Sequence, residues 1–168
     1  PDTLEGLLAL PGIGRYTAGA VASFDFDLSE PLVDANVARV LARLLDLHTP
    51  IDNTAGLAAL WSAATALVPK NGSRIFNGAL MELGALVCTP RTPRCDACPI
   101  TKHCAAFAHG TAASLPRKKP RSKREELAEH CAGTVSRGRS RLEQKTGKRC
   151  RGLWKPPAPA AHPGTAQL

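Results

Sequence analysis

Four cysteines in the middle of the chain have the spacing of a metal-binding loop. Cys88, Cys95, Cys98 and Cys104 follow one another as C-x6-C-x2-C-x5-C within 17 residues. Thiolates are soft ligands that suit iron–sulfur clusters and zinc. Zinc sites commonly join two close cysteine pairs across a longer gap, whereas this loop contains a single close pair. The spacing therefore predicts one [4Fe–4S] cluster held by all four cysteines, with zinc or an unmetallated loop as alternatives.

A glycine-rich turn near the N-terminus has the composition of an anion-binding site. Residues 10–14, LPGIG, separate two predicted helices. Glycines let the backbone turn sharply, and the free N–H groups and dipole of the following helix attract phosphate. Such a contact holds DNA without reading its sequence. An ordinary turn between packed helices is the alternative. The predicted DNA-binding residues are Gly12, Ile13, Gly14, Arg15, Tyr16 and Thr17.

Asp34 is a carboxylate with two possible roles. It lies 20 residues after Gly14, at the predicted start of a helix. Taken alone, this position favours a helix N-cap, because aspartate accepts hydrogen bonds from the first N–H groups of a helix. A helix N-terminus also keeps a carboxylate ionised, and an ionised carboxylate can stabilise a cationic transition state.

The elements that position these residues are predicted to be helical over the first 110 residues. Apolar residues recur at helical spacing and predict helices over about residues 15–23, 35–47, 54–67 and 73–87. Asp2, Asn53 or Thr54, and Ser73 are the expected N-caps. No alternating strand pattern precedes residue 110. The predicted fold class is all-α, with a helical core over residues 1–87 and a cysteine loop over residues 88–110.

The charge of the chain is concentrated after the cysteine loop. Residues 1–110 carry 8 Lys/Arg and 10 Asp/Glu, whereas residues 111–168 carry 14 and 4. The second part is rich in Gly, Pro, Arg and Ala, so we expect a basic linker and a disordered tail. No apolar run of membrane-spanning length and no signal peptide is recognisable. Clustered cysteines without an export signal indicate a reducing cytoplasm.

The order of these motifs resembles the endonuclease III superfamily of helix–hairpin–helix DNA glycosylases, and within it the adenine-specific branch. The matching segments are residues 10–20 (LPGIGRYTAGA), 33–44 (VDANVARVLARL), 74–88 (RIFNGALMELGALVC) and the cysteine loop. The resemblance covers about residues 4–107. It implies hydrolysis of the N-glycosidic bond of adenine mispaired with 8-oxoguanine or guanine. The implied partner is double-stranded DNA carrying that mismatch, bound by a monomer in the bacterial cytoplasm and nucleoid.

The resemblance also implies roles for two residues. Asp34 stabilises positive charge on the deoxyribose as the adenine leaves, in a site where water is restricted. Bifunctional relatives carry a Schiff-base lysine two residues after the second hairpin glycine, but Tyr16 occupies that position here. Hydrolysis without strand cleavage is therefore expected. A bifunctional glycosylase/lyase, a non-catalytic DNA-binding module and a zinc-binding interaction domain are the alternatives.

One expected catalytic group has no counterpart in the chain. The resemblance implies a glutamate that protonates adenine and precedes the hairpin, but neither Glu5 nor Glu30 lies in its motif. We therefore expect a sequence truncated at both ends, with an incomplete catalytic domain over residues 1–110. The tail over residues 111–168 would then be a remnant of a C-terminal domain that recognises 8-oxoguanine. This piece alone is expected to lack glycosylase activity.

Overall fold

The computed structural model describes residues 1–120, 135–146 and 151–157. Two compact units are present, Pro1–Arg121 and Ser122–Leu168. The first unit confirms the all-α prediction. Among the described residues, no helix is both long and apolar enough to span a membrane. The α-helices of the first unit are α1 Leu4–Leu8, α2 Arg15–Phe24, α3 Ala35–Leu44, α4 Thr54–Leu67, α5 Ser73–Glu82 and α6 Ala105–Ala108.

Helix α3 lies at the centre of the first unit. Its residues from Val37 to Arg43 are all buried, so this helix has no solvated face over those two turns. Leu41 packs in one core cluster with Leu60 of α4 and Leu80 of α5. A smaller cluster joins α1 to α2. Burial of α3 on all sides fixes the position of its first residue, which follows Asp34.

The helix starts agree with the predicted caps at some positions and differ at others. Asn53 caps α4, accepting from Gly56 N–H at 2.7 Å, as the sequence predicts. The cap predicted at Asp2 is wrong, because the hydroxyl of Thr3 accepts from the Gly6 N–H at 3.2 Å. The cap predicted at Ser73 is also wrong. Its hydroxyl donates instead to the distant Leu28 carbonyl at 2.5 Å, a tertiary contact that local sequence does not reveal.

Helical structure continues into the cysteine loop. A π-helical turn, Leu83–Val87, extends α5 up to Cys88. Two short 3₁₀ turns, Cys95–Ala97 and Thr101–His103, follow before α6. The loop therefore begins and ends with short helical turns.

The region after residue 110 contains more structure than the sequence predicts. Residues 111–120 lie on the helical unit, and Leu115 is only 2% exposed. In the described part of the second unit, Val135–Ser136 pairs with Arg139–Ser140 and Glu143–Gln144 pairs with Trp154–Lys155, both antiparallel. Positive φ angles at Arg137 and Gly138 match a two-residue hairpin turn. The predicted disorder of residues 121–134, 147–150 and 158–168 falls outside the described residues.

Candidate active site and metal centre

The predicted hairpin joins α1 to α2 through two glycines. Gly12 has a φ of +81°, a conformation that favours glycine, and Ile13 N–H donates to the Leu10 carbonyl at 3.2 Å. Gly14 is the N-cap of α2, and no side chain caps this helix. A Cβ atom added at Gly12 or Gly14 would meet no heavy atom within 4 Å. The backbone at Gly14 is therefore open to a ligand approaching from outside.

The first turn of α2 carries the other predicted DNA-binding residues. Its N–H groups have no acceptors within the helix. Arg15 and Tyr16 are exposed, whereas Thr17 is half-buried. The Arg15 guanidinium lies 3.9 Å from the centroid of the Trp61 ring, an attractive cation–π contact. An anion at Gly14 would meet backbone donors and the positive end of a helix dipole.

Asp34 caps the N-terminus of α3. Its Oδ1 accepts from Val37 N–H at 2.7 Å, and its Oδ2 accepts from Asn36 Nδ2 at 3.2 Å. Both oxygens are engaged, so the half-buried carboxylate is held in one orientation at the positive end of the helix. The N-cap expected from the local sequence is confirmed. The catalytic role of Asp34 stays a prediction.

Hydrogen bonds connect the neighbour of Asp34 to the cysteine loop. Asn36 Oδ1 accepts from Arg39 Nη2 at 2.9 Å. Arg39 also donates to the Gly84 carbonyl at 2.8 Å and, through Nε, to the Cys88 carbonyl at 2.7 Å. Burial lowers the pKa of Arg39. A continuous set of contacts thus runs from Asp34 to the first cysteine.

The π-helical turn brings the end of α5 against the start of α3. Cys88 N–H donates to the Leu83 carbonyl at 2.7 Å. A Cβ atom added at Gly84 would lie 2.7 Å from Asn36 Cβ and 3.0 Å from the Asn36 carbonyl oxygen. Only glycine permits this approach without displacing Asn36. Single π-helical turns are frequent at functional sites, and this one determines where the cysteine loop begins.

The four predicted metal ligands lie around one cavity. Cys88 follows the π-helical turn, Cys95 and Cys98 bracket a 3₁₀ turn, and Cys104 is the N-cap of α6. The Thr101 hydroxyl donates to the Cys95 and Cys98 carbonyls at 2.5 and 2.8 Å. The four cysteines are half-buried free thiols and line the same cavity. The loop therefore brings together all the ligands that the sequence predicts.

The arrangement of the thiols fits an iron–sulfur cluster. Ligands of a zinc ion lie about 2.0–2.3 Å from the metal and so converge closely. No group of three His, Cys, Asp or Glu side chains converges in that way in the part of the chain that the structure describes. Burial and the neighbouring thiols raise the pKa of Cys95. Four thiolates around one cavity therefore suit a multi-iron cluster, whose iron ions supply compensating charge.

Arg43 ties the start of the cysteine loop to α3 and to the segment after α6. It is 1% exposed. Its Nη1 donates to Cys88 Sγ at 3.2 Å and to the Thr89 carbonyl at 2.8 Å, and its Nη2 donates to the Pro90 carbonyl at 3.1 Å. Its Nε donates to the Leu115 carbonyl at 3.0 Å. All three nitrogens of this buried cation are therefore engaged, as burial of a charge requires.

Replacing Arg43 with lysine is expected to weaken the cysteine loop. Lysine keeps the charge but lacks the planar fork that reaches several acceptors at once. Loss of one or two hydrogen bonds to a charged group corresponds to about 1–3 kcal/mol of unfolding free energy. Iron content per protein and chemical denaturation would measure the effect, with the exposed Arg137→Lys as the matched control. Unchanged iron content and stability in Arg43→Lys would contradict this role.

A carboxylate beyond the C-terminus of α3 contacts the segment that follows α6. Asp46 Oδ2 lies 2.8 Å from His109 Nδ1 and 3.2 Å from His48 Nε2. The Thr111 hydroxyl donates to Asp46 Oδ1. These contacts, the Thr111 hydrogen bond first among them, lower the pKa of Asp46 to about 2. The segment that follows α6 is therefore attached to the turn that follows α3.

The lowered pKa of Asp46 predicts a specific loss of stability in acid. The ionised carboxylate stabilises the fold above its unfolded pKa of about 4, and this contribution is lost as pH falls towards the folded value of about 2. Asparagine tolerates the positive φ at this position, 51°. Thermal unfolding of wild type and Asp46→Asn across this pH range is the measurement. The stability advantage of wild type should shrink as pH falls below about 4; an unchanged difference between about pH 5 and pH 2 would disprove the prediction.

Asn36, Arg39 and Arg43 are not among the site residues that the sequence predicts. A usable signal existed in the spacing of the two arginines, which stand four residues apart and therefore share one face of α3. Buried arginines are rare unless they are paired. A helix that is apolar on its other faces and carries two such residues indicates buried polar contacts. Most of their partners are backbone carbonyls 45 to 72 residues away, and no local pattern identifies them.

Comparisons with known proteins agree with this geometry. The helix–hairpin–helix motif profile matches residues 1–24, and the profile of the iron–sulfur binding domain of endonuclease III matches residues 88–104. Among solved structures, a thermostable thymine-DNA glycosylase superposes with a TM-score of 0.58 at 36% identity, covering 65% of this chain and 50% of that one. A non-covalent endonuclease III–DNA complex gives 0.53 at 27% identity, covering 66% and 50%. Over these segments the chain is similar to the endonuclease III-like superfamily of helix–hairpin–helix DNA glycosylases.

Within that superfamily, the curated relatives are adenine DNA glycosylases. The enzyme of Mycolicibacterium smegmatis is 47% identical over 117 residues, which are 67% of this chain and 39% of that protein. The enzyme of Schizosaccharomyces pombe is 46% identical over 103 residues, covering 61% and 22%. The human enzyme is 47% identical over 105 residues, covering 62% and 19%. The matched residues are thus similar to the adenine-specific branch, and the chain spans well under half the length of these relatives.

Proposed function

We propose that residues 1–110 supply the DNA-binding hairpin, the iron–sulfur loop and the catalytic carboxylate of a DNA glycosylase. The substrate is adenine mispaired with 8-oxoguanine or guanine in double-stranded DNA. The observation that carries the proposal is the fixed Asp34 carboxylate, bonded to Val37 N–H and to Asn36 and linked through Arg39 to the cysteine loop. The protein acts as a monomer in the bacterial cytoplasm, associated with the nucleoid.

DNA binding begins at the hairpin in this proposal. A phosphate approaches the open backbone of Gly14 and accepts hydrogen bonds from the first turn of α2. The contact is independent of sequence, so it positions the duplex without selecting a base. The target adenine leaves the base stack before it can be removed. The free energy of the phosphate contacts helps to offset that unstacking.

Asp34 then acts on the sugar. As the N-glycosidic bond breaks, its electron pair leaves with adenine and positive charge develops on the deoxyribose. The held carboxylate stabilises this cation electrostatically, and water completes the hydrolysis at the sugar carbon. Tyr16 stands where a lyase needs an amine, so no Schiff base forms and the DNA strand is not cleaved. Cys88, Cys95, Cys98 and Cys104 would hold the iron–sulfur cluster, which would fix the conformation of their loop.

The acid that protonates adenine is not assigned to a residue of this chain. Burial raises the pKa of Glu30, and the nearby Glu5 raises it further, but neither residue lies in the expected motif. This observation favours a second candidate function, a DNA-binding module without glycosylase activity. The two functions share the hairpin and the cluster, and they differ in whether Asp34 reacts.

Single-turnover adenine release from an A:8-oxoguanine duplex separates the two functions. The chain alone is expected to bind the duplex and release no adenine. A chimera in which the matched residues of this chain replace their counterparts in the Mycolicibacterium smegmatis enzyme is expected to release adenine, and the same chimera with Asp34→Asn is not. Release by the wild-type chain alone would overturn the expected inactivity. An iron-loaded, folded chimera that binds DNA without releasing adenine would overturn the enzymatic proposal in favour of the binding module.

A further inference from the structure

The basic segment after the cysteine loop is attached to the helical unit at three points. Leu115 is 2% exposed, and its carbonyl accepts from the buried Arg43 Nε at 3.0 Å. Ile51 N–H donates to the Arg117 carbonyl at 3.0 Å, and Lys119 N–H donates to Asp52 Oδ1 at 2.8 Å. The backbone of residues 115–119 is therefore fixed.

Three consecutive cations are displayed by this fixed backbone. Arg117, Lys118 and Lys119 are exposed. Within the described residues, no hydrogen bond or ion pair involves their side chains. The helical unit that carries them is otherwise slightly acidic, with 8 Lys/Arg and 10 Asp/Glu over residues 1–110. The segment is therefore a local positive patch rather than part of a generally basic surface.

One residue of this patch, Lys118, lines a cavity that reaches the start of α3, whereas the backbone of Arg117 and Lys119 contacts Ile51 and Asp52, which follow the other end of that helix. A cavity of about 320 Å³ is lined by both Ala35, the residue after Asp34, and Lys118. Ser114 and the buried Arg39 also line it. A DNA strand whose sugar faces Asp34 would therefore run close to cations whose backbone is already ordered. Fixing the backbone beforehand reduces the entropy that binding would otherwise cost.

We propose that Arg117, Lys118 and Lys119 form a second phosphate-binding site, which holds the DNA backbone beside Asp34. This inference rests on the proposed function, because it takes the duplex at Asp34 as given. The site binds phosphates without reading bases. It differs from the hairpin in chemistry, since it uses side-chain charge where the hairpin uses backbone N–H groups.

The first test compares two triple variants with equal charge. Arg117, Lys118 and Lys119 are replaced by glutamine in one, and the exposed Arg137, Arg139 and Arg141 in the other. Titration of a short fluorescent duplex at several salt concentrations gives the slope of log K against log salt. The magnitude of the slope should be smaller by about 2–3 in the first variant, because each phosphate contact contributes about 0.9. The same variant should bind on the order of 10- to 100-fold more weakly near 0.1 M salt. Equal behaviour of the two triple variants would overturn the proposal.

The second test separates the fixed backbone from simple charge. Asp52→Asn removes one negative charge and keeps an acceptor for Lys119 N–H, whereas Asp52→Ala removes both. Bulk electrostatics predicts that both variants bind DNA more tightly than wild type. A fixed phosphate site predicts weaker binding by Asp52→Ala than by Asp52→Asn, although their charges are equal. Identical affinities would overturn the role of the fixed backbone.

The outcomes distinguish this inference from the function on which it rests. If a hairpin variant loses DNA binding while the two triple variants bind DNA equally well, the proposed function is supported and the second phosphate site is contradicted. Full binding by the hairpin variant would remove the proposed function itself. If residues 117–119 bind polyglutamate instead of duplex DNA, the segment binds an acidic protein partner and the proposal is overturned. Iron content and circular dichroism verify that each variant is folded.

Discussion

Duplex DNA binding is expected to fall roughly 30- to 150-fold when Gly14 is replaced by aspartate, without loss of folding stability. This range corresponds to about 2–3 kcal/mol of binding free energy, the scale of one or two hydrogen bonds to a charged group. Replacing a glycine at a turn often lowers stability, because the backbone there adopts a conformation that strains other residues. Gly14 has a φ of −91°, so the fold itself does not require glycine there.

The geometry at Gly14 separates folding from ligand access. A side chain at this position would meet no heavy atom within 4 Å. Gly14 is also the N-cap of α2 and supplies no capping acceptor. Aspartate is among the best N-cap residues, because its carboxylate accepts from the free N–H groups of the first turn. The same N–H groups are the ones that a phosphate would use, so the new carboxylate stabilises the helix and repels DNA.

Two comparisons make the hairpin test decisive. Gly14→Asn provides an equally good cap without the charge, so its affinity should lie between wild type and Gly14→Asp. Gly12→Ala is expected to lose stability instead, since φ at Gly12 is +81° and a left-handed conformation costs a non-glycine residue about 1–2 kcal/mol. Fluorescence anisotropy and thermal unfolding report the two properties separately. Wild-type affinity in Gly14→Asp would show that phosphate does not bind at this helix end.

The features that could be predicted from the sequence are those whose causes are local. Apolar spacing predicted the end of α2 to within one residue, and it predicted both ends of α4 correctly. Cysteine spacing located the ligand loop, because a single loop that wraps a cluster keeps its ligands close in sequence. Asp34 also belongs to this group, since an aspartate before an apolar helical pattern is a recognisable N-cap.

Features that depend on distant partners could not be predicted in this way. Arg43 contacts Leu115, 72 residues away, and Asp46 contacts His109, 63 residues away. Composition alone assigned residues 111–168 to a basic linker and a disordered tail, but burial of Leu115 and a backbone bond to Ile51 attach residues 111–120 to the helical unit. Local pattern therefore located the candidate site residues, and tertiary contacts determine how firmly they are held.

Adenine release by the chimera is expected to fall about 100- to 1,000-fold in Asp34→Asn, the scale of losing one preorganised electrostatic contact to a transition state. Asparagine retains an acceptor for Val37 N–H, so the cap of α3 survives. Its amide nitrogen, however, would face Asn36 Nδ2, which donates to Asp34 Oδ2 at 3.2 Å. Asn36 cannot turn over freely, because its Oδ1 accepts from Arg39. We therefore expect a small stability cost of about 1 kcal/mol from the lost hydrogen bond.

Asp34→Ala separates the cap from the chemistry. Alanine removes the cap as well as the charge, which should cost about 0.5–2 kcal/mol of unfolding free energy for the cap alone. Release by the alanine chimera should be no slower than by the asparagine chimera if charge is the cause, although the alanine protein is the less stable of the two. If the decrease in adenine release is instead proportional to the decrease in unfolding free energy in the two variants, Asp34 is only a structural cap. The two roles need separate variants, because the carboxylate that caps α3 through Oδ1 is also the group that would face the sugar.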